Sequence, residues 1–406
     1  MRTVRVLVVT KIFPNACDPT GAPFNRQQFS ALARRDGVDV EVLATIPWFP
    51  GVGAFRRWSK AGQLTAVPKR EQIAGLDVEH PRVLYLPKVG HAVSGGLYAA
   101  SLLPAALARR GMHDVVLGSW AYPDGGAAVI LARLLGIPAV VKLHGSDMNV
   151  VAQMAGPRRA MRQLLPRAER VVAVSRGLAD QAVRLGVAPE RIDLVQNGVD
   201  STIFHPRPRA EARAVLGLAP ARRWILYVGR LEKTKGVVDL LQAFDSIASL
   251  HPDLGLVLVG DGTARQECEQ LARPHGDRIV FAGAQPLEQV PVWIAACDLL
   301  TLPSWNEGTP NVLLEALACG RRVVATRVGG CPDVVSSAAL GELVPVRDVP
   351  ALGAALAAAA RQSYDPDAVA ALGARGGWED SAAKLCATLE RARDSFKSRI
   401  TQAAAA

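Results

Sequence analysis

Apolar residues recur along this chain in short, nearly unbroken runs. Val4 to Thr10, Val38 to Thr45, Val115 to Ser119, Ala139 to Leu143, Val171 to Val174 and Ile192 to Val195 are the runs of the first half. Runs of this length, rich in β-branched residues, predict strands buried on both faces. Between them the apolar positions take helical spacing, as in Gln27 to Arg35 and Gly126 to Leu135. Strands alternating with helices predict a parallel sheet covered by helices on both sides. Asn197-Gly198-Val199-Asp200 is a turn signal, with Pro206 and Pro208 close behind. The pattern then restarts. Its strands are Trp224 to Val228, Gly255 to Val259, Arg278 to Phe281, Leu299 to Leu302, Val323 to Ala325 and Glu342 to Val344. Ala351 to Ala360 and Trp378 to Phe396 predict closing helices, and the TQAAAA tail predicts a frayed end. The pattern fails only between Pro47 and Ser94, where Gly, Pro and basic residues predict a long irregular excursion of functional use.

Composition narrows the class. With 406 residues, half of them hydrophobic and 21% charged, the chain is globular and long enough for two or three cores. The six cysteines are scattered without a C-x-x-C pair, which predicts reduced thiols and no metal site. The N-terminal apolar run reads as a strand and is too short for a signal peptide. Val89 to Ala108 carries no charge, but Gly90, Gly95, Gly96 and Pro104 argue against a spanning helix. The net charge of +10 predicts an anionic partner. Only 5% of residues are aromatic and no nucleic-acid motif is present, so phosphate-bearing substrates and anionic lipid are favoured over nucleic acid.

The densest chemistry lies in TLPSWNEGTPNVLLEALACGRRVVATRVGG, Thr301 to Gly330. Thr309 is a suitable N-cap and Pro310 a suitable first helical residue; Gly320 ends the helix. The N–H groups of Asn311 and Val312 open this helix, where the dipole favours an anion. Glu307 precedes the helix start, and Glu315 lies four residues after Asn311 on the same face. An anion site bracketed by carboxylates suits a ligand with both phosphates and hydroxyls, such as a nucleotide sugar. Arg230 and Lys235 follow the strand WILYVGR and precede the helix KGVVDLLQAF. Both are thus placed at the C-terminal edge of a parallel sheet, where such folds bind ligands. His144 and Asp147 in KLHGSD occupy the equivalent edge of the first half. Gly260 and Gly283 end strands in glycine turns that suit a base held by backbone groups. Asp124 opens what reads as an acceptor-side helix, as its N-cap or as an acceptor contact. Asp365-Pro366-Asp367 spells D-x-D but falls in a late loop and reads as accidental.

Glu307 and Glu315 within EGTPNVLLEALACG resemble the Glu-x7-Glu signature of the retaining family 4 glycosyltransferases, particularly bacterial exopolysaccharide and teichuronic-acid types. The resemblance runs from the N-terminal loop to the last helix and is strongest between Leu226 and Gly330. It implies the GT-B fold: α/β, two Rossmann-like domains with parallel sheets facing across a cleft. The expected domains are 1–200 for the acceptor and 201–377 for the nucleotide-sugar donor, with 378–406 crossing back onto the first. The implied activity is a retaining, metal-independent transfer of a sugar from a nucleotide diphosphate donor, UDP- or GDP-linked. The acceptor would be a lipid-linked or saccharide intermediate of cell-surface glycan synthesis, in the cytoplasm or at the inner face of the membrane.

The resemblance also distributes roles. VGRLxxxKG resembles the family's diphosphate clamp, so Arg230 and Lys235 would hold the diphosphate, with Gly308, Thr309, Asn311 and Val312. Glu315 would hold ribose hydroxyls and Glu307 the sugar's hydroxyls. His144 would contact the donor sugar, and Gly21 would approach the phosphates through its N–H. One glycine stands there instead of the family's frequent pair. Asp124 and Asp147 are the candidate acceptor contacts, and no cofactor is implied. Arg321-Arg322 departs from the family, which often has Pro before this strand. A glycoside hydrolase would need two carboxylates but not the cations. A 2-epimerase of the same fold would release free nucleotide sugar without an acceptor. A catalytically dead nucleotide-sugar binding protein would not need the whole set.

Overall fold

The computed structural model describes residues 3–19, 21–55, 58–85, 91–374 and 376–405, with only the backbone at 55, 60, 91–94 and 405. The chain divides into two compact units: Met1–Asn197 with Trp378–Ala406, and Gly198–Gly377.

The first unit is built on β1 (Val4–Thr10), β2 (Val38–Ala44), β3 (Ile46–Trp48), β4 (Arg70–Ile73), β5 (Leu76–Glu79), β6 (Arg82–Leu84), β7 (Val115–Ser119), β8 (Ala139–Leu143), β9 (Arg170–Ala173) and β10 (Ile192–Leu194). Its main sheet runs β10-β9-β8-β7-β1-β2-β5-β4, parallel throughout except for the β4–β5 pair. Strand order reverses between β1 and β7, so the loops leaving these two strands flank a crevice. Helices cover both faces. One core holds Leu7, Val9, Val116, Val141 and Leu143, and the other holds Val6, Val8, Leu117, Val140 and Val172. Each such side chain, fully buried, contributes about 1.5–3 kcal/mol relative to exposure. The last helix, Trp378–Ala405, belongs to this unit. Trp378, Ala382, Leu385, Leu389 and Ala392 form its buried stripe against the second core, at spacings of three and four residues. Gln28 Nε2 donates to Ser381 Oγ (2.8 Å), and Ser381 donates to the Gln196 carbonyl (2.6 Å), fastening that helix to the end of the sheet.

The second unit holds β11 (Arg223–Val228), β12 (Leu254–Val259), β13 (Ile279–Gly283), β14 (Leu299–Leu302), β15 (Val323–Thr326) and β16 (Gly341–Val344). They form one parallel sheet, β13-β12-β11-β14-β15-β16, with the order reversing between β11 and β14. Arg321 explains its own departure from the family pattern. It is 2% exposed, and its guanidinium donates to the carbonyls of Ala295 (2.7 Å), Cys297 (3.0 Å) and Gly320 (3.3 Å). These carbonyls end the helices Val290–Ala296 and Asn311–Ala318. A cation at two helix C-termini is favoured by both dipoles and satisfies acceptors the helices leave open.

Four expectations change. The first helix is Pro23–Ala33, starting four residues earlier than its apolar spacing indicates, because Ala22 adopts a left-handed turn and Pro23 opens the helix. The described residues of 47–94 form regular elements: β4 and β5 extend the main sheet, β3 pairs with β6, and a helix runs His91–Leu107. Their alternating strands are short, so Gly and Pro punctuation dominates the sequence signal. The last helix continues to Ala405, since its alanine-rich end has high helix propensity. Asp365 is an N-cap, accepting from the Asp367 N–H, so the D-x-D spelling belongs to a helix start.

Candidate active site

In the second unit the loops after β11 and β14 leave the sheet on either side of the reversal. Peptide groups set their spacing. Gly236 has φ +69°, and a Cβ there would lie 1.9 Å from the Pro303 carbonyl oxygen, so only glycine allows the contact. The Trp305 N–H donates to the Thr234 carbonyl (3.0 Å), and Trp305 Nε1 donates to Asp239 Oδ2 (2.7 Å). The two loops are thereby stitched together. Lys235 Nζ then meets Glu307 Oε1 at 2.7 Å, with both side chains largely buried. On its other side Glu307 is pressed by Gly329, where a Cβ would lie 1.8 Å from the Glu307 carbonyl oxygen. Gly308 accepts from the Gly330 N–H (2.8 Å).

The helix that follows begins at Asn311, one residue later than expected. Pro310, not Thr309, is its cap: its carbonyl accepts from Leu313 N–H (3.0 Å), and no side-chain cap bond forms. Proline serves because this position must supply only a carbonyl. Asn311 and Val312 occupy the first turn, at the positive end of the helix dipole. Glu315 is half-buried and has no ion-pair partner among the described residues; burial pushes its carboxyl up to about 7. Arg230 points outward and pairs with Glu232 at 2.6 Å, while its carbonyl is held by the Tyr227 hydroxyl (2.7 Å). The site thus gathers Arg230, Lys235, Glu307, Gly308, Thr309, Asn311, Val312 and Glu315 around the reversal point of one sheet. Gly260 and Gly283 border it at the ends of β12 and β13. The Gly260 N–H donates to the Gly283 carbonyl (2.7 Å), and a Gly260 Cβ would lie 1.9 Å from the Gly229 carbonyl oxygen.

In the first unit His144 follows β8. Its ring lies 5.1 Å from Phe24 and 5.9 Å from Trp120, and Nε2 is 2.8 Å from Ser119 Oγ. Burial and the neighbouring Lys142 hold its pKa well below the ordinary histidine value. Lys142 is itself buried, hydrogen-bonded to Gln28, with its pKa lowered to about 7 by burial. Three expectations for this unit do not fit. Asp147 is fully buried and accepts from the N–H groups of Ala121 (2.8 Å), His144 (3.2 Å), Gly145 (2.7 Å) and Met148 (3.0 Å). It shapes the His144 loop and has no face for an acceptor. Asp124 is also fully buried, beside Tyr98 and Lys11, with its carboxyl pushed up to about 7 by burial. It neither caps the helix Gly126–Leu135 nor reaches an acceptor. The Gly21 N–H is taken by the Asp18 carbonyl (3.2 Å), so it closes its own turn instead of facing a phosphate.

Trp305, Asp239, Ser119 and Asn25 are site residues that pattern reading missed. Ser119 carried a signal: a hydroxyl ending an otherwise apolar strand at the ligand-binding edge.

Solved structures share this architecture. A sucrose-phosphate synthase from Thermosynechococcus elongatus superposes with a TM-score of 0.69 at 22% identity, covering both chains fully. HepE from Anabaena, solved with UDP and glucose, superposes with a TM-score of 0.67 at 20% identity, covering 96% of this chain and 100% of that one. The fold is GT-B, with a parallel α/β sheet in each of two units. Residues 222–362 match the family model described as glycosyl transferases group 1, and residues 21–198 match the glycosyl transferase 4-like domain. TuaC of Bacillus subtilis (strain 168), assigned as a teichuronic acid biosynthesis glycosyltransferase, is 31% identical over 80% of this chain and 82% of its own. The chain belongs to the family 4 glycosyltransferases.

Proposed function

We propose that the enzyme transfers a sugar from a UDP- or GDP-linked donor to a lipid-linked or saccharide acceptor of cell-surface glycan synthesis, retaining the anomeric configuration. The carrying observation is the convergence of two cations, a helix N-terminus and two carboxylates at one sheet reversal. Lys235 has three donors. It can keep Glu307 and still take a phosphate oxygen, with Arg230 gripping the diphosphate from the solvent side. The N–H groups of Asn311 and Val312 extend that cradle, and Gly308 and Thr309 shape its approach. Glu307 accepts from sugar hydroxyls, Glu315 from ribose hydroxyls, and the Gly260 and Gly283 turns lie toward the base. Charge on the departing diphosphate is then met by fixed cations and a helix dipole, without a metal. HepE's complex with UDP and glucose on the same fold, and the teichuronic acid biosynthesis in TuaC's name, support the reading. The test is UDP and GDP release over a donor panel, with and without membrane lipid extract, in excess EDTA. Acceptor-dependent release is expected, with the donor's anomeric configuration kept in the product's NMR spectrum. An inverted linkage would sink the retaining mechanism. Activity lost in EDTA and restored by Mn²⁺ would sink metal independence.

We also propose cytoplasmic residence with reversible contact between the first unit and an anionic membrane surface. No helix of the described residues is long and apolar enough to cross a membrane. Trp48, Trp58 and Tyr85 stand exposed on the 47–94 segment. Helix Ala155–Leu164 turns Arg158, Arg159 and Arg162 outward, none with an ion-pair partner among the described residues, next to exposed Met154 and Val150. Arg56 and Arg57, and the Lys60 side chain, are further basic groups of this segment that lie outside the described residues. Basic residues near anionic lipid contribute about 1 kcal/mol each. The protein is expected to float with phosphatidylglycerol vesicles at low salt and to release at high salt. Neutralising either arginine group, 158/159/162 or 56/57 with Lys60, should weaken flotation. Failure to float at low salt would leave a purely soluble enzyme.

A further inference from the structure

Asn25 and Ser119 are fully buried polar side chains, and they stand behind His144 in a closed accounting of protons. The Ile12 carbonyl can only accept, so the Asn25 atom 2.9 Å from it is the amide nitrogen. The Asn25 oxygen therefore faces Ser119 Oγ, at 3.1 Å. That oxygen can only accept, so the single Ser119 proton points to Asn25. Ser119 Oγ is left as an acceptor toward His144 Nε2, 2.8 Å away. Turning the serine proton to the imidazole, or flipping the amide, would set two lone pairs against each other in a buried place, a costly arrangement.

We propose that Asn25 and Ser119 are positioning residues that fix His144 as the neutral tautomer protonated on Nε2, leaving Nδ1 as the open hydrogen-bond acceptor. Nδ1 makes no hydrogen bond among the described residues, whereas Nε2 is committed. Phe24 and Trp120 keep the ring from turning over. Lys142 lies close by, Asp147 binds the backbone on either side, and burial with the Lys142 charge disfavours the imidazolium. The substrate group that meets this ring must then bring a proton. A sugar hydroxyl fits; a carboxylate or phosphate oxygen would set lone pair against lone pair. This selectivity rests on the reading of His144 as a donor-sugar contact, but the tautomer does not.

Long-range ¹⁵N–¹H correlation NMR on histidine-labelled full-length protein, with His144→Gln to assign the resonance, reads the tautomer directly. The expected result at pH 7 is a proton on Nε2 and a bare Nδ1. Ser119→Thr should preserve it, and Ser119→Ala should give a mixture of tautomers. Asn25→Leu should reverse it, because the freed serine proton can then turn to Nε2. A proton on Nδ1 in the wild type, an imidazolium at pH 7, or an unchanged tautomer in Asn25→Leu would overturn the assignment. Addition of UDP-glucose, compared with UDP alone, should shift Nδ1 in the sense of accepting a hydrogen bond. If UDP-glucose binds without that shift while the tautomer stands, the donor-sugar contact fails and the tautomer assignment holds.

Discussion

Lys235→Ala is expected to lower kcat/KM by roughly 100- to 1,000-fold, the range for losing one fixed donor to a developing anion. The structure adds a second cost. Glu307 loses the cation 2.7 Å away, and its negative charge then faces the proposed diphosphate position without that compensation. The double variant Lys235→Ala/Glu307→Gln should therefore bind UDP more tightly than Lys235→Ala alone, although it lacks both side chains. Isothermal calorimetry with UDP separates this from turnover, which UDP release measures. Arg230→Lys should weaken UDP less, because the guanidinium is mostly in solvent and loses only its forked grip. Equal UDP affinity in wild type, Lys235→Ala and the double variant would remove Lys235 from the phosphate site.

UDP affinity is expected to fall as pH drops below about 7, and Glu315→Gln is expected to flatten that dependence. Ribose hydroxyls donate to an ionised carboxylate, so the complex favours the charged form. The free site is half protonated near pH 7, and below it a proton must leave for each ligand bound. Folding stability runs the other way. Glu315 has a folded pKa above its unfolded value, so the native state holds the extra proton between about 4.3 and 7. Stability from this group is present below the unfolded value and is lost as pH rises through about 7. Wild type should thus lose Tm relative to Glu315→Gln across that window while gaining UDP affinity. Glu315→Ala should weaken UDP roughly 10- to 150-fold at pH 8, the worth of one charged hydrogen bond. Parallel pH profiles in wild type and Glu315→Gln would sink the assignment.

The strands were legible because buried parallel strands write themselves as Val, Ile and Leu runs of the right length, whereas the order of strands in each sheet, and so its reversal, came from the structure alone. Arg230, Lys235 and Glu307 could be placed for a related reason: they lie in the loops that follow such runs, and position after a strand places a residue at one sheet edge, while Glu315 was placed by its helical spacing from Asn311. What a strand-based reading cannot supply is the direction of a side chain once the loop turns. Asp147 and Asp124 follow strands β8 and β7 at suitable distances, yet both point inward, Asp147 to backbone N–H groups and Asp124 to Tyr98 and Lys11. Gly21 spends its N–H on a turn with Asp18, a local bond that no periodicity reveals. The 47–94 segment was illegible because its strands have three or four residues, too few for alternation to register.

The glycines at 236, 260 and 329 carry a consequence for how this enzyme can change. At each, peptide lies against peptide with no side chain between: Gly236 on Pro303, Gly260 on Gly229, Gly329 on Glu307. Every amino acid has the same peptide group, so the separation of the loops does not depend on which residues their tips carry. The three glycines act as a jig, and positions mounted on it, such as 232 and 261, are interchangeable fittings. Substrate choice can drift by exchange of fittings at constant spacing, whereas exchange of a glycine moves every fitting at once.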